Sequence, residues 1–437
     1  MPRRLLIISY AFPPYGGGGV QRTVRFLRYL GECGWQASVL APHWGEESSE
    51  DPELLASIPS EVRVIRAGNA GDQRGRFWQL LKRTPYFWRF ESSLKANYNF
   101  PDHAGWWRHI AIRTASKMLR EWPCDIIYST SPPVTAHWVA QRLKSIFGLP
   151  WVADFRDPFL SDLATQTRTL RVRQRQLADF KHNVYRDADL VIANTRPNRD
   201  ILVSEDGVPN ERTIVIPNGY DEADFASVSA AAPSDVFRVT FCGSAYGAYN
   251  PSTFFDALST LIDEDPELRL EVCLAGRVCK WAEDAIHDPR VKARLRMYGY
   301  LPHAQIPPLL AASHLLLQAN AAGHPYSVSG KLFEYLRSGT PILAIGENPS
   351  EVSRILDETG RGKCLPREDV SGIASHVRIC YDSWRQGSWR TNMPCNDAIR
   401  CYDARVHTQQ LATHLTHLVG GSTHGTNRGV TKLTTNT

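Results

Sequence analysis

Short apolar runs rich in β-branched residues alternate along the chain with longer amphipathic runs. In the first half, the apolar runs predict strands at 5–9, 37–40, 62–65, 125–129, 151–154 and 190–194. Between them, Val20, Val24 and Leu27 recur at helical spacing, and 134–147 predicts another helix. This alternation is typical of a parallel sheet covered by helices on both faces. The pattern therefore predicts a doubly wound α/β domain over residues 1–216.

The same pattern restarts after a break. Turn residues and a run of small residues at 226–232 predict an interdomain linker at 217–235. Strands at 236–242, 268–275, near Leu315 and at 341–345, with helices at 253–262 and 331–337, predict a second Rossmann-like domain over 236–400. A last amphipathic stretch covers 401–419, and the composition of 420–437 predicts a disordered tail.

Composition narrows the class of protein. The chain has 437 residues, 43% hydrophobic and 22% charged, which is ordinary for a globular protein with two or three domains. The formal charge of +5 is too small for a dedicated nucleic-acid binder. Nine scattered cysteines without metal-ligand spacing favour reduced thiols, and the first apolar run is too short for a signal peptide. We therefore expect a cytoplasmic protein.

A glycine-rich loop follows the first predicted strand. Four glycines at 16–19 let backbone amides approach a phosphate or sugar at the start of a helix. The loop is not a dinucleotide fingerprint, since Arg22 stands where the third glycine belongs, and this disfavours an NAD-dependent oxidoreductase. Arg22, Arg25 and Arg28 share one helix stripe. Arg22 is a candidate diphosphate ligand, and a solvated helix face is the alternative.

The densest signal is the segment 327–341, which reads SVSGKLFEYLRSGTP. Ser329 and Gly330 would cap a helix that begins at Lys331 and carries Glu334 in its first turn. Amides and an ammonium suit phosphate oxygens, while a carboxylate accepts hydrogen bonds from a ribose diol. The alternative is a capped helix with Lys and Glu on its solvent face. A second glycine loop, beginning at Gly243, also has a position that suits a diphosphate.

At these motifs the sequence resembles a known family. The stretches SYAFPPYGGGGVQR, STSPPVTAH, WVADFRDPF, IPNGYD and GKLFEYLRSGTPILA resemble glycosyltransferase family 4, the retaining, nucleotide-sugar-dependent enzymes of the GT-B fold. The resemblance runs from about residue 4 to 418. It implies that the second domain binds the donor nucleotide, the first binds the acceptor, and the last helix returns to the first domain.

The resemblance also implies roles for residues on the donor side. Gly18 and Gly19 would lie near the donor diphosphate and sugar. Lys331 would contact phosphate through its side chain and Leu332 through its amide, while Glu334 would bind the ribose.

Further positions would lie at the reaction cleft. Asp154, Arg156 and Asp157 belong to the stretch DFRD, and Arg156 stands where many relatives have a histidine. His137 is a weaker candidate for the cleft, because a lone histidine on a helix more often packs in the core.

Two departures from the family pattern concern charge near the donor. Tyr326 stands where relatives carry a glutamate, eight positions before Glu334. Many relatives also have Arg or Lys shortly after the second-domain loop glycine, whereas here the next basic candidate is Arg277. Losing a cation that stabilises a leaving diphosphate would slow transfer. No Asp-x-Asp metal site is evident, because the acidic run at 263–265 is typical of a solvated turn.

The segment 74–90 interleaves basic and aromatic residues in RGRFWQLLKRTPYFWRF. This composition is typical of a membrane interface, where aromatic rings lie at headgroup depth and basic side chains meet anionic lipid. It would suit a lipid-linked acceptor at the inner face of the cell membrane. The alternative is a packed helix pair whose arginines extend toward solvent.

The sequence therefore predicts a glycosyltransferase that moves a sugar from a UDP- or GDP-linked donor to a glycan or lipid-linked acceptor with retention. Cell-surface polysaccharide assembly is the expected setting. The donor is a co-substrate, and neither a separate cofactor nor a metal is expected. Two alternatives remain open: a non-catalytic nucleotide-sugar-binding scaffold, and a nucleotide-sugar epimerase of the same fold.

Overall fold

A computed structural model of the protein shows two parallel-sheet α/β units. The residues that it describes are 2–16, 18–44, 51–70, 100–157, 171–228, 234–243, 249, 251–276, 286–389 and 397–422. Two sheets, one of seven strands and one of six, carry helices on their faces, so the predicted fold class is confirmed.

The first sheet is parallel throughout, in the order β3-β2-β1-β4-β5-β6-β7. Its strands are β1 (Arg3–Ser9), β2 (Trp35–His43), β3 (Arg63–Asn69), β4 (Ile126–Ser131), β5 (Trp151–Phe155), β6 (Leu190–Ala193) and β7 (Thr213–Val215). The strand order reverses between β1 and β4, and ligands bind at such switch points. The six predicted strands are all present, and β7 is an addition.

Helices cover both faces of this sheet. They are α1 (Gly18–Leu30), α2 (Pro52–Ala56), α3 (Arg108–Glu121), α4 (Thr135–Phe147), α5 (Arg171–Asp187) and α6 (Arg196–Ser204), with 3-10 turns at Gly105–Trp107 and Asn210–Arg212. One apolar core contains Trp107 and Trp151, and the other contains Phe12 and Phe26. β1 contributes alternate side chains to each core, as expected for a strand buried on both faces.

The second sheet is also parallel, in the order β10-β9-β8-β11-β12-β13. Its strands are β8 (Phe237–Cys242), β9 (Leu270–Ala275), β10 (Leu295–Gly299), β11 (Leu315–Ala319), β12 (Ile342–Ile345) and β13 (Gly362–Leu365). Its helices are α7 (Ser252–Glu264), α8 (Pro289–Lys292), α9 (Ile306–Ala311), α10 (Lys331–Ser338), α11 (Glu351–Thr359) and α12 (Val370–Arg385), with a 3-10 turn at His303–Gln305. The switch point lies between β8 and β11.

The segment after β7 is packed against the second domain. It contains a 3-10 turn at Glu222–Phe225, and Tyr220 and Phe225 are buried in a core formed by α10 and α11. The first part of the predicted linker is therefore a fixed crossover, because two aromatic side chains anchor it. Residues 229–233 lie outside the described residues.

The last described elements are α13 (Asp397–Arg400) and α14 (Ala404–Ser422). Leu411, Ala412 and Leu415 of α14 join the core that contains Phe26 and Leu27 of α1, so the last helix packs on the first domain. The helix continues to Ser422, which corrects the predicted end at 419 and the predicted disorder of 420–422. The rest of the predicted tail, 423–437, lies outside the described residues. None of the described helices combines the length and apolar sequence needed to span a bilayer.

Candidate functional site

A cavity of about 450 Å³ opens between the carboxyl ends of the two sheets. The first domain contributes α1 and the preceding loop, and the second contributes the ends of β8, β9 and β10 and the start of α10. Its lining includes Gly16, Arg22, Arg25, Gly219, Gly243, Gly276, Tyr300, His303, Lys331, Glu334 and His407. Both switch points therefore face one cavity, which is where a doubly wound sheet binds ligands.

Two glycines and a lysine form the second-domain wall. Gly243 and Gly276 follow β8 and β9, and both have positive φ, at 148° and 131°. A Cβ on Gly276 would lie 2.1 Å from the carbonyl oxygen of Gly243, and one on Gly243 would lie 2.5 Å from Nζ of Lys331. The ammonium therefore lies directly against bare backbone. Burial lowers the pKa of Lys331, so an anion in the cavity would offset an energetic cost that the charged lysine now bears.

The start of α10 is held close to this wall. The hydroxyl of Tyr335 accepts a 2.8 Å hydrogen bond from the amide of Cys242, at the end of β8. Gly330 is the N-cap and makes no side-chain cap, while Ser329 Oγ accepts only a 3.4 Å bond from the Lys331 amide. The Leu332 amide donates to the Ser329 carbonyl at 3.1 Å. The predicted phosphate contact of Leu332 would thus have to replace a turn hydrogen bond.

Glu334 meets two cations. Its Oε1 accepts from Nη2 of Arg25 at 2.6 Å and lies 3.1 Å from Nε2 of His303. Burial raises the pKa of Glu334, but His303 and Arg25 outweigh this and lower it to about 2. Burial likewise lowers the pKa of His303, and Glu334 and Asp224 raise it overall. Glu334 is thus ionised and buried, which excludes the alternative of a solvent-facing glutamate.

Arg22 is held within the protein. Its Nε and Nη2 each lie 2.9 Å from a different oxygen of Asp154, and Nη1 and Nη2 also donate to the carbonyls of Pro217 and Ile216. Tyr128 and Thr130 complete the shell of Asp154, which has no exposed surface. Burial raises the pKa of Asp154, and Arg22 lowers it overall. Arg22 also lines the cavity, so its predicted contact with a diphosphate stays a prediction. The alternative of a solvated face for the arginine stripe is wrong, because Arg22 and Arg25 are buried.

Arg156 connects three segments at the edge of the first sheet. It donates to the carbonyls of Ser131 at 2.8 Å, Pro132 at 2.6 Å, and Gly19 at the start of α1. Burial lowers the pKa of Arg156, and the hydrogen bonds to backbone oxygens stabilise its charged form. Gly18 is the first residue of α1, so both predicted glycines lie at this helix start. Arg156 therefore fixes the loop that sequence analysis placed near the donor.

His137 is a core residue. Its Nδ1 lies 2.8 Å from Oγ of Ser129, and its ring centroid lies 4.3 Å from that of Phe155. It has no exposed surface, and burial lowers its pKa to about 3. Of the two interpretations that the sequence allowed, the structure favours packing, because α4 turns this residue toward the sheet and away from the cavity.

Asp157 of the first domain and Tyr326 of the second domain interact electrostatically. Burial raises the pKa of Tyr326, and the negative charge of Asp157 raises it further. Tyr326 also contacts His324, with ring centroids 5.7 Å apart. The expectation that Tyr326 replaces the family's glutamate stays a prediction. Arg277, the loop 244–248 and the segment 74–90 lie outside the described residues.

Three cavity residues were not assigned a site role from the sequence. Arg25 belongs to the arginine stripe, but only the tertiary fold brings it to Glu334. His303 follows β10, a strand that the pattern did not predict. His407 projects from α14, and its Nε2 has no hydrogen-bond partner among the described residues. If β10 had been predicted, the position of His303 after that strand would have suggested a site role. No local feature of the sequence indicates that His407 lines the cavity.

Two Rossmann-like domains around a shared cleft define the GT-B fold. The family model of a glycosyl transferase 4-like domain matches residues 17–219. Mannosylfructose-phosphate synthase of Agrobacterium fabrum is 24% identical over 370 residues, covering 78% of this chain and 76% of that enzyme.

Solved structures share the whole fold. Sucrose-phosphate synthase from Thermosynechococcus elongatus superposes with a TM-score of 0.64 at 14% identity, covering 96% of this chain and all (100%) of that one. HepE of Anabaena, in complex with UDP and glucose, gives 0.65 at 16% identity and covers 95% and 100%. Residues 17–219 form a glycosyltransferase 4-like domain, and these matches support sugar transfer as the activity of the protein.

Proposed function

We propose that the protein transfers a sugar from a nucleoside diphosphate donor, bound in the 450 Å³ cavity, to an acceptor hydroxyl on the first-domain side. The observation that carries this proposal is the partly buried ammonium of Lys331, which lies against Gly243, with Glu334 one turn further along α10. A diphosphate matches the cation and bare backbone, and a ribose diol matches the carboxylate. HepE, which shares the fold, was crystallised with UDP and glucose, which supports a UDP-linked donor over a GDP-linked one.

Few groups are needed for the chemistry. A nucleotide sugar already contains a good leaving group, so the enzyme has to orient the acceptor and stabilise charge that develops on the departing diphosphate. Lys331 and the start of α10 are placed for the second task. Asp154, Arg22 and Arg156 hold the first-domain loops in register. The donor acts as co-substrate, and the proposal requires no separate cofactor or metal.

Retention of the anomeric configuration rests on family membership. A glycan or lipid-linked acceptor and a setting in cell-surface polysaccharide assembly extend the same argument. The basic and aromatic composition of 74–90 supports contact with a membrane surface. Proton NMR of the anomeric centre during turnover separates retention from inversion, and flotation with anionic vesicles tests the membrane contact.

Thermal unfolding with UDP and GDP tests the donor site. A ligand at 100 times its Kd stabilises the folded state by about 2.7 kcal/mol, so the correct nucleotide should raise Tm. Lys331→Ala should abolish most of this increase. Lys292→Ala, which changes an exposed lysine of the same domain, is the matched control. Absence of a shift in the native protein at millimolar nucleotide would contradict the proposal, and binding without sugar transfer would favour the scaffold alternative.

A further inference from the structure

The side chain of Glu334 is oriented from both domains. Arg25 of the first domain and His303 of the second both contact Oε1, at 2.6 and 3.1 Å. Among the described residues, no group donates to Oε2. Two cations on one oxygen fix the plane of the carboxylate and leave the other oxygen as the acceptor for a ligand. Glu334 lines the cavity, so its orientation determines what it can bind there.

Arg25 is itself held rigidly. Its Nη1 donates to the carbonyl of Gly219, and its Nη2 lies 3.6 Å from Oδ2 of Asp224. Only 7% of the Arg25 side chain is exposed. Its direction is thus set by the crossover segment, and a rearrangement of the side chain would break several contacts at once. Because these contacts hold the guanidinium of Arg25 in place, the position of α1 determines where Arg25 meets Glu334.

A second arginine of α1 contacts the same crossover segment. Arg28 lies one turn after Arg25 on α1 and pairs with Asp221 and Asp224, both at 2.7 Å. Asp224 faces His303 at 3.9 Å on the ring nitrogen opposite Glu334. Arg28, like Arg25, therefore contacts Asp224 of the crossover, but none of its described contacts is with Glu334. Comparing variants of Arg25 and Arg28 therefore distinguishes a role in joining the domains from a role in orienting Glu334.

We propose that Arg25 is a positioning residue for the donor, which it acts on from the opposite domain by orienting Glu334 toward the ribose hydroxyls. The inference rests on the proposed function, because it takes Glu334 as the group that binds ribose. It follows that the ribose subsite is complete only when the two domains have the relative position seen here. Donor affinity is thereby coupled to domain closure through one side chain.

The test compares ligands with and without the ribose diol. Kd is measured by calorimetry for UDP and GDP, and then for the 2′,3′-dideoxy form of whichever nucleotide binds the native protein. Arg25→Gln should weaken binding of the ribonucleotide by about tenfold, because it removes the charge-assisted hydrogen bond to Glu334. It should change binding of the dideoxy form by less than about twofold. Arg25→Lys, which retains one donor, should weaken ribonucleotide binding by an intermediate factor. This second variant tests the inference if Arg25→Gln does not fold.

Arg28→Gln is the control, and it should leave the ratio of the two affinities unchanged even if it lowers Tm. Equal weakening of both ligands by Arg25→Gln would assign Arg25 a structural role and overturn the inference. Unchanged or tighter ribonucleotide binding would overturn it as well. Failure of the native protein to bind either nucleotide would instead contradict the proposed function, so the two failures are distinguishable.

Discussion

At the scale of single residues, burial decides what each candidate side chain can do. His137 and Asp154 have no exposed surface, and all their described contacts lie inside the first domain. Lys331 and Glu334 are also largely buried, yet both line the cavity. The same residue types therefore divide into packing, positioning and ligand-binding roles. Their positions separate them: His137 and Asp154 are enclosed by the first domain, whereas Lys331 and Glu334 lie on the first turn of α10 beside the cleft.

Gly276→Ala provides a prediction at this scale. The residue has φ of 131°, and a Cβ would lie 2.1 Å from the Gly243 carbonyl oxygen, so β8 and β9 would have to separate at their ends. We expect a loss of about 1–3 kcal/mol or more in the free energy of unfolding, together with loss of the nucleotide-dependent Tm shift. Urea denaturation measures the first effect.

Gly148→Ala is the control for the backbone conformation alone, because Gly148 has φ of 69° and nothing within 4 Å of an added Cβ. If the two alanine variants were equally stable, close approach of the backbones at Gly276 would not be the cause.

At the scale of elements, the helices α1 and α14 connect the two domains. α1 carries the glycine loop at its first turn and Arg22 and Arg25 on the turns that follow. α14 packs against α1 through Leu411 and Leu415, and its amide at Ala404 donates to the Tyr220 carbonyl at 2.8 Å. α1, which contacts the crossover segment, and α14, the last described helix, therefore stabilise each other by packing.

Leu415→Ala tests this contact. Leu415 has no exposed surface and lies in the core with Phe26 and Leu30. Removing a buried leucine side chain costs about 2–5 kcal/mol, so we expect a decrease of that size in the free energy of unfolding. Thr413→Ala, at an exposed position on the same helix, should change it by less than about 0.5 kcal/mol. Similar values for the two variants would mean that α14 does not contribute to the first-domain core.

At the scale of the whole molecule, charges from three separate parts of the chain meet at the domain boundary. α1 supplies Arg25 and Arg28, the crossover supplies Asp221 and Asp224, and the second domain supplies His303 and Glu334. Protonated His303 interacts with Glu334 and Asp224, and Lys331 also interacts with Glu334. Loss of the His303 proton removes one positive charge from this cluster, so stability at this boundary depends on pH.

The dependence has a defined sign. Since the folded state raises the pKa of His303 above its ordinary 6.5, its contribution is complete below that pH and is lost as pH rises through the folded value. We expect His303→Gln to lower the free energy of unfolding by about 1–3 kcal/mol at pH 6, the range for hydrogen bonds to charged groups, and by less at pH 8. Urea denaturation at several pH values measures this difference. A difference that is constant or grows with pH would show that the imidazolium is not the stabilising form.

The sequence by itself determined the two parallel sheets, the glycine loop, and the position of Lys331 and Glu334 on one helix turn, because periodicity and strand–loop–helix order are local properties. It missed β7, β10 and β13, which are short or exposed and carry little periodic signal. Only the tertiary structure decided that Arg22 binds Asp154, that Arg25 reaches Glu334, and that His137 lies in the core. These contacts join residues that are distant in sequence, at the edges of the sheets and across the cleft. A local sequence pattern therefore does not predict which partner a buried side chain will have.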